Sequence, residues 1–252
     1  MTKKQYFLTL IALLKAKLLG KGTPLIINWA ITNKCNNQCG YCNLGQQNVL
    51  ELTTAQIFKI IDILHKSNTL WINFSGGEPL IRLDIQEIIS YTASKGINII
   101  LNTNGFLLAK KQAVLDKVQV LKLSFDGPVN IHDKIRGEGS FAQLMQAIKI
   151  VKQSKVKLLL CAVLSQANLD YIDYILNTAK DLNSMVFFQP ATKKTLGSSD
   201  DNPLYCETVA YRQAMSKLLS LKKSKSLGKY IANSASALEC LDNWCWRQRL
   251  IY

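Results

Sequence analysis

The sequence predicts an α/β protein: an open, partial (β/α)6 barrel on a parallel sheet, with a helix ahead of it and a short appendage behind. Three observations predict it. Apolar runs of strand length alternate with amphipathic helical segments, the pattern of a parallel sheet made of βα units. Six such units can be placed, two short of the eight that close a full TIM-like barrel, so one side stays open to a bulky substrate. At 252 residues, with 48% hydrophobic and 19% charged residues, the chain can bury one large core.

The elements follow in order. In residues 1–23, Phe7, Leu8, Ile11, Leu14, Leu18 and Leu19 fall near one face of an amphipathic helix edged with lysines. Lys3 and Lys4 ahead of this apolar run imitate a signal peptide. Lys15 and Lys17 interrupt it, however, and no small-residue cleavage site comes before Gly20. The helix is expected to dock on the domain, with contact to an anionic membrane surface as the second reading. Leu25–Thr32 reads as the first strand. Thr53 with Gln56 forms a capping box, and Leu52 staples onto Ile57, for a helix from Thr54 to about Lys66. Thr69–Phe74 is the second strand; Asp84 with Glu87 repeats the capping pattern, and Gly96 supplies a left-handed stop. Ile97–Leu101 is the third strand and Leu107–Lys117 a third helix. Val120–Phe125 is the fourth strand, followed by the helix Phe141–Lys152; Val156–Leu164 is the fifth, followed by a helix opened by Asn168. Met185–Gln189 is the last clear strand. The core barrel then covers residues 24–190. From residue 191 to 252 the composition turns polar, with Gly197, Ser198, Ser199, Asp200 and Asp201 in a loop before a helix at Leu204–Leu221.

Composition narrows the function classes. Seven dispersed cysteines suit a reducing, cytoplasmic setting better than the cell exterior. No apolar run approaches the roughly 20 residues that cross a bilayer. The net charge of +14 is spread over scattered lysines, apart from Lys193-Lys194 and Lys222-Lys223-Lys225. Scattered charge is solvated surface rather than a phosphate track, so nucleic acid is not expected; an acidic peptide would use the same charge.

The chemistry concentrates after the first strand, where Cys35, Cys39 and Cys42 are spaced C-x3-C-x2-C. Three thiolates with no fourth nearby can hold three irons of a cubane and leave one open, whereas a ferredoxin site uses four. Structural zinc prefers four protein ligands, and a disulfide framework belongs to small secreted chains. The other suspicious loops also follow strands, where parallel barrels place their ligands. They are Ser75-Gly76-Gly77-Glu78-Pro79, Asn102-Thr103-Asn104-Gly105, Ser124-Phe125-Asp126-Gly127-Pro128 with His132 and Arg136, and Gln189-Pro190. Taken singly, each is turn chemistry.

Together, in this order, these motifs from Pro24 to Pro190 resemble the radical S-adenosylmethionine (radical SAM) superfamily. The resemblance implies a [4Fe-4S] cluster on Cys35, Cys39 and Cys42. It also implies S-adenosylmethionine on the open iron, its amino group met by Ser75, Gly76, Gly77 and Glu78. Tyr41 would lie against the adenine, Asn102, Thr103 and Asn104 would line the site, and Gln189 would sit near the adenosyl group or substrate. Ser124, Asp126 and Arg136 match members that modify peptides or build tetrapyrrole-type cofactors; a serine and an arginine there suit a ribose hydroxyl and a carboxylate. The implied reaction is reductive cleavage of S-adenosylmethionine to a 5′-deoxyadenosyl radical, with an electron donor such as flavodoxin or ferredoxin. His132 is expected to be structural, His65 a surface residue and Cys161 a small buried hydrophobe.

Cys206, Cys240 and Cys245 give at most three further ligands. The stretch from Glu239 resembles the opening of the SPASM/twitch auxiliary-cluster domain, with Arg247-Gln248 in place of Ala-Gly. An abbreviated or truncated auxiliary domain is therefore expected. The leading expectation is modification of a peptide or protein, although residues 1–23 leave no room for a peptide-binding winged helix. The alternatives are a cofactor-pathway enzyme acting on a tetrapyrrole or other small molecule, and a non-catalytic iron–sulfur or RNA-binding protein.

Overall fold

The structure, a computed structural model, describes residues 7, 10, 11, 24–206 and 208–242. Six strands, β1 Ile26–Thr32, β2 Trp71–Gly76, β3 Asn98–Thr103, β4 Val120–Ser124, β5 Lys157–Leu164 and β6 Met185–Pro190, form one sheet in sequential order. Every pairing is parallel, and β1 and β6 do not pair with each other, so the barrel is open as expected. The connecting helices are α1 Thr54–Lys66, α2 Ile85–Ser94, α3 Val129–Arg136, α4 Ser140–Lys152 and α5 Ile172–Asp181; α6 Thr208–Lys223 and α7 Ala235–Asp242 follow the sheet.

Strand alternation divides the sheet into two faces. Leu121 and Leu123 of β4, Leu160 and Ala162 of β5, and Val186 and Phe188 of β6 are fully or almost fully buried and belong to the hydrophobic core that the helices cover. Residues of opposite parity, Lys122 and Ser124, Cys161 and Val163, and Gln189, line the concave side. Tyr211, Met215, Leu218 and Leu238 carry α6 and α7 into the same core.

The capping box at Thr53 forms: Gln56 N–H donates to Thr53 Oγ1 at 3.3 Å, and Thr53 N–H to Gln56 Oε1 at 2.8 Å. Gly96 takes the left-handed φ of +73°. Four expectations need correcting. Asp84 does not cap α2 with its side chain, because Arg82 Nη2 and Thr54 Oγ1 both bind its carboxylate at 2.7 Å. Residues 107–117 form two 3-10 turns, Leu108–Lys110 and Gln112–Asp116, broken at Lys111, whose Nζ reaches Arg82 O at 2.6 Å. Asn168 opens no helix through its side chain: Oδ1 accepts from Ser165 N–H at 2.8 Å while Nδ2 donates to Asp126 O and Val163 O. The helix expected to begin at Leu204 begins instead at Thr208.

Phe7, Leu10 and Ile11 are helical, with Phe7 and Leu10 exposed. The remainder of the expected N-terminal helix and its docking lie outside the described residues, as does the Trp244–Tyr252 stretch with Cys245. Among the described residues no helix is long and apolar enough to cross a membrane.

The open edge at β6 is covered. Ala232 N–H donates to Val186 O at 2.8 Å, and the Asn233 side chain pairs with both backbone groups of Phe188, at 2.8 and 2.9 Å. This satisfies edge groups that would otherwise recruit another strand.

Candidate functional site

The cysteine loop leaves β1 at Thr32 and folds over the C-terminal ends of the strands. Cys35, Cys39 and Cys42 are half-buried and face one cavity of about 180 Å³. Two backbone bonds hold the second half of its run. Gly40 N–H donates to Ile135 O of α3 at 2.9 Å, and Cys42 N–H closes a turn on Cys39 O at 3.0 Å. The loop after β6 straps it from outside: Asn43 N–H meets Leu196 O at 2.7 Å, and Leu196 N–H meets Tyr41 O at 3.0 Å. The polar stretch expected as a connecting loop therefore also braces the cysteine loop.

The paired glycines have a reason that the sequence did not display. A Cβ on Gly76, whose φ is +120°, would sit 2.1 Å from Thr32 O; one on Gly77 would sit 2.2 Å from Lys34 O. The space a side chain needs is filled by the cysteine-loop backbone, which Gly77 N–H and Glu78 N–H bind at 2.8 Å through Thr32 O and Lys34 O. Bare backbone at β2 therefore seats the cysteine loop.

Two expected ligand-binding carboxylates turn away from the cavity and do not line it. Glu78 is fully buried; its carboxylate accepts from Thr103 Oγ1 and Asn104 N–H at 2.8 Å and from Leu80 N–H at 3.0 Å. Burial pushes its carboxyl up to about 7, against the three donors that pull it down. Asp126, also fully buried, binds Arg136 Nε at 2.6 Å and Val163 N–H at 2.8 Å. Both carboxylates are held by scaffold donors, three on Glu78 and two on Asp126.

Arg136 is what Asp126 positions. Its guanidinium lies 5.6 Å from the Tyr41 ring centroid and its Nη1 3.9 Å from Cys39 Sγ. Burial raises the thiols of Cys35 and Cys39; at Cys39 the Arg136 charge works in the opposite direction, favouring thiolate.

His132 is buried between Phe125 and Phe141, and its Nδ1 accepts from Asp126 N–H at 3.2 Å. Burial, reinforced by Arg136, lowers its pKa from 6.5 to about 4. The unfolded chain therefore binds the extra proton between those values, and stability falls as pH drops through that window. His132→Asn, which keeps an acceptor, is expected to flatten this limb of the stability curve, as read by urea unfolding across the window.

Ser75, Gly76, Gly77, Asn102, Thr103, Asn104, Ser124, Arg136, Tyr41 and Gln189 all line the cavity with the three cysteines. Asn104 Nδ2 bonds Asn36 Oδ1 at 2.9 Å, joining the third strand end to the cysteine loop. Sequence reasoning missed Asn37, Lys122 and Leu196, and it read Cys161 as core. Cys161 lines the cavity, and burial pushes its thiol up to about 11. Strand parity was the signal available: Lys122 and Ser124, two apart, share a face.

The donor set fits a cluster with an organic ligand. The three thiols share one cavity. A cubane takes each thiolate on a different iron. Asn37 Nδ2 and Asn102 Oδ1 are buried at the cavity without a hydrogen-bond partner, polar atoms that a bound ligand would satisfy.

Comparison with known proteins agrees with this geometry. The family model described as Radical SAM superfamily matches residues 29–179. The chain is 31% identical over 173 residues to the AdoMet-dependent heme synthase of Oleidesulfovibrio alaskensis, covering 65% of this chain and 45% of that protein. It is 30% identical over 162 residues to mycofactocin maturase MftC of Mycolicibacterium smegmatis, covering 61% and 41%. The chain thus spans less than half the length of these two relatives. Streptococcus suis SuiB bound to precursor peptide SuiA shares the fold, with a TM-score of 0.67, 14% identity, and coverage of 82% of this chain and 48% of that one.

Proposed function

The chain belongs to the radical SAM superfamily, and from that premise we propose that it generates a 5′-deoxyadenosyl radical at this cavity to modify a peptide or protein. Members of the superfamily are enzymes that bind a [4Fe-4S] cluster and S-adenosylmethionine. The observation that carries the reading is the meeting of three thiols, the bare backbone of Ser75–Gly77 and Ser124 around one cavity.

Cys35, Cys39 and Cys42 would hold three irons, leaving the fourth for the amino and carboxylate groups of S-adenosylmethionine. When bound and reduced, the cluster supplies the electron that splits S-adenosylmethionine into methionine and the radical that abstracts a substrate hydrogen. Arg136 offers its outer N–H groups to Cys39 and to the cavity, a charge-assisted donor for a sulfur or a carboxylate. Tyr41, held against Arg136, presents a ring face suited to adenine. Asn102, Asn104 and Ser124 present amide and hydroxyl groups for ribose and amino acid. The loop carrying Leu196 would help to exclude water, and the mouth of the barrel at the C-terminal strand ends would admit the substrate.

A peptide or protein substrate is favoured by the maturase relative and by the neighbour crystallised with a precursor peptide. The heme synthase relatives favour a second reading, a tetrapyrrole substrate. An electron donor of flavodoxin or ferredoxin type, a cytoplasmic setting and an N-terminal helix docked on the domain, with membrane contact as its second reading, complete the proposal. So does the division into residues 1–23, 24–190 and a C-terminal appendage at 191–252. A single cluster on Cys35, Cys39 and Cys42 predicts about four irons per chain, and none when all three are replaced by alanine.

The test of the function is anaerobic reconstitution followed by dithionite and S-adenosylmethionine. Formation of 5′-deoxyadenosine supports it, and a fully loaded cluster that yields none refutes it.

A further inference from the structure

Lys122 stands on the concave face of β4, two residues before Ser124 and between the buried, outward-facing Leu121 and Leu123. One strand pleat, roughly 6–7 Å, separates Lys122 from Ser124 along the strand, toward the barrel floor. Its ammonium lies 4.9 Å from the Phe187 ring centroid, and its β3 partner in register is Asn102, whose Oδ1 is buried without a hydrogen-bond partner.

The cavity holds two cations with different histories. Arg136 is neutralised by Asp126 at 2.6 Å. Lys122 has no ion-pair partner among the described residues, and no Asp or Glu lines the cavity. A half-buried ammonium over an aromatic ring is only partly compensated, and its attraction for an anion is strongest where water is excluded.

We propose that Lys122 binds a carboxylate of the substrate, placing the carbon to be attacked between the barrel floor and the cysteines. The proposal rests on reading this cavity as the site of S-adenosylmethionine and substrate, and it adds a substrate class to that reading: molecules with a free carboxylate near the reacting carbon. A single ammonium flanked by neutral amide and hydroxyl groups matches one negative charge. A phosphate, with close to two charges, would call for a denser set of cations.

The test uses reconstituted protein saturated with S-adenosylmethionine and two probes, hexanoate and hexanamide, which differ in charge at one end. Wild type is expected to bind hexanoate at least tenfold more tightly, by calorimetry or ligand-observed NMR. Lys122→Met should bring the two probes within twofold of each other, and Lys122→Arg should restore the preference in part. Affinity for S-adenosylmethionine should change less than threefold in both variants, with iron content and melting temperature confirming that they fold. Equal binding of the probes by wild type, or a preference that survives in Lys122→Met, overturns the proposal. So does a tenfold loss of S-adenosylmethionine affinity in Lys122→Met, which would assign the ammonium to the carboxylate of that molecule. Failure of the underlying functional reading is separate and appears earlier, as wild type that binds no S-adenosylmethionine; it would remove this proposal with it.

Discussion

Cys39→Ala is expected to abolish 5′-deoxyadenosine formation, with a loss greater than about a hundredfold. Its thiol is one of three that face the cavity, and it carries the Arg136 contact at 3.9 Å. Losing an outer partner of a metal ligand typically costs roughly 10–100-fold in affinity or activity, and losing a ligand itself costs more. Arg136→Leu should fall in that lower range, because it removes a charge-assisted donor and leaves Asp126 buried without its ion pair. Iron content and 5′-deoxyadenosine yield, measured side by side, separate the two effects. If Cys39→Ala kept full activity, the triplet would not be the iron-binding centre.

The second large effect is steric. Gly77→Ala would place a methyl group 2.2 Å from Lys34 O and 2.5 Å from Asn33 O, both backbone atoms of the cysteine loop. Backbone cannot yield as a flexible side chain does, so the loop must move off the β2 end and break the bonds from Gly77 N–H and Glu78 N–H. Overpacking of this kind costs about 1–3 kcal/mol or more, and here the strain falls on the segment that carries Cys35. We expect iron content to drop several-fold while the sheet remains folded by circular dichroism. Gly96→Ala is the control. Its φ of +73° carries a strain of roughly 1–2 kcal/mol, but nothing lies within 4 Å of the added methyl, so iron content should be unchanged. Equal iron loss in both variants would show that the glycine pair does not seat the loop.

Much of this was legible in the sequence because parallel βα units repeat two strong signals. Buried strands such as Leu158–Leu164 read as continuous apolar runs, and the helices between them show one apolar face. The spacing of Cys35, Cys39 and Cys42 is local, so no tertiary information is needed to see it. What the sequence hid depends on parity and register. Cys161 and Leu160 look alike in an apolar run, yet one faces the cavity and the other is fully buried, and a shift of one residue would exchange them. Lys122 was passed over for the same reason. Glu78 and Asp126 sit in motifs that suggested ligand contact, but their donors, Thr103, Asn104, Val163 and Arg136, come from other segments. Residues 107–117 carry helix-forming residues, but two short turns replace the helix there, with Leu108, Val114 and Leu115 all buried.

The most direct test of the central claim, a three-cysteine cluster with one iron open to S-adenosylmethionine, is electron paramagnetic resonance of the dithionite-reduced, reconstituted protein before and after that molecule is added. A reduced [4Fe-4S] signal whose g-values shift on addition is expected, and no such signal in Cys39→Ala. A signal that S-adenosylmethionine leaves unchanged at saturating concentration would mean that no iron of the cluster is open to it.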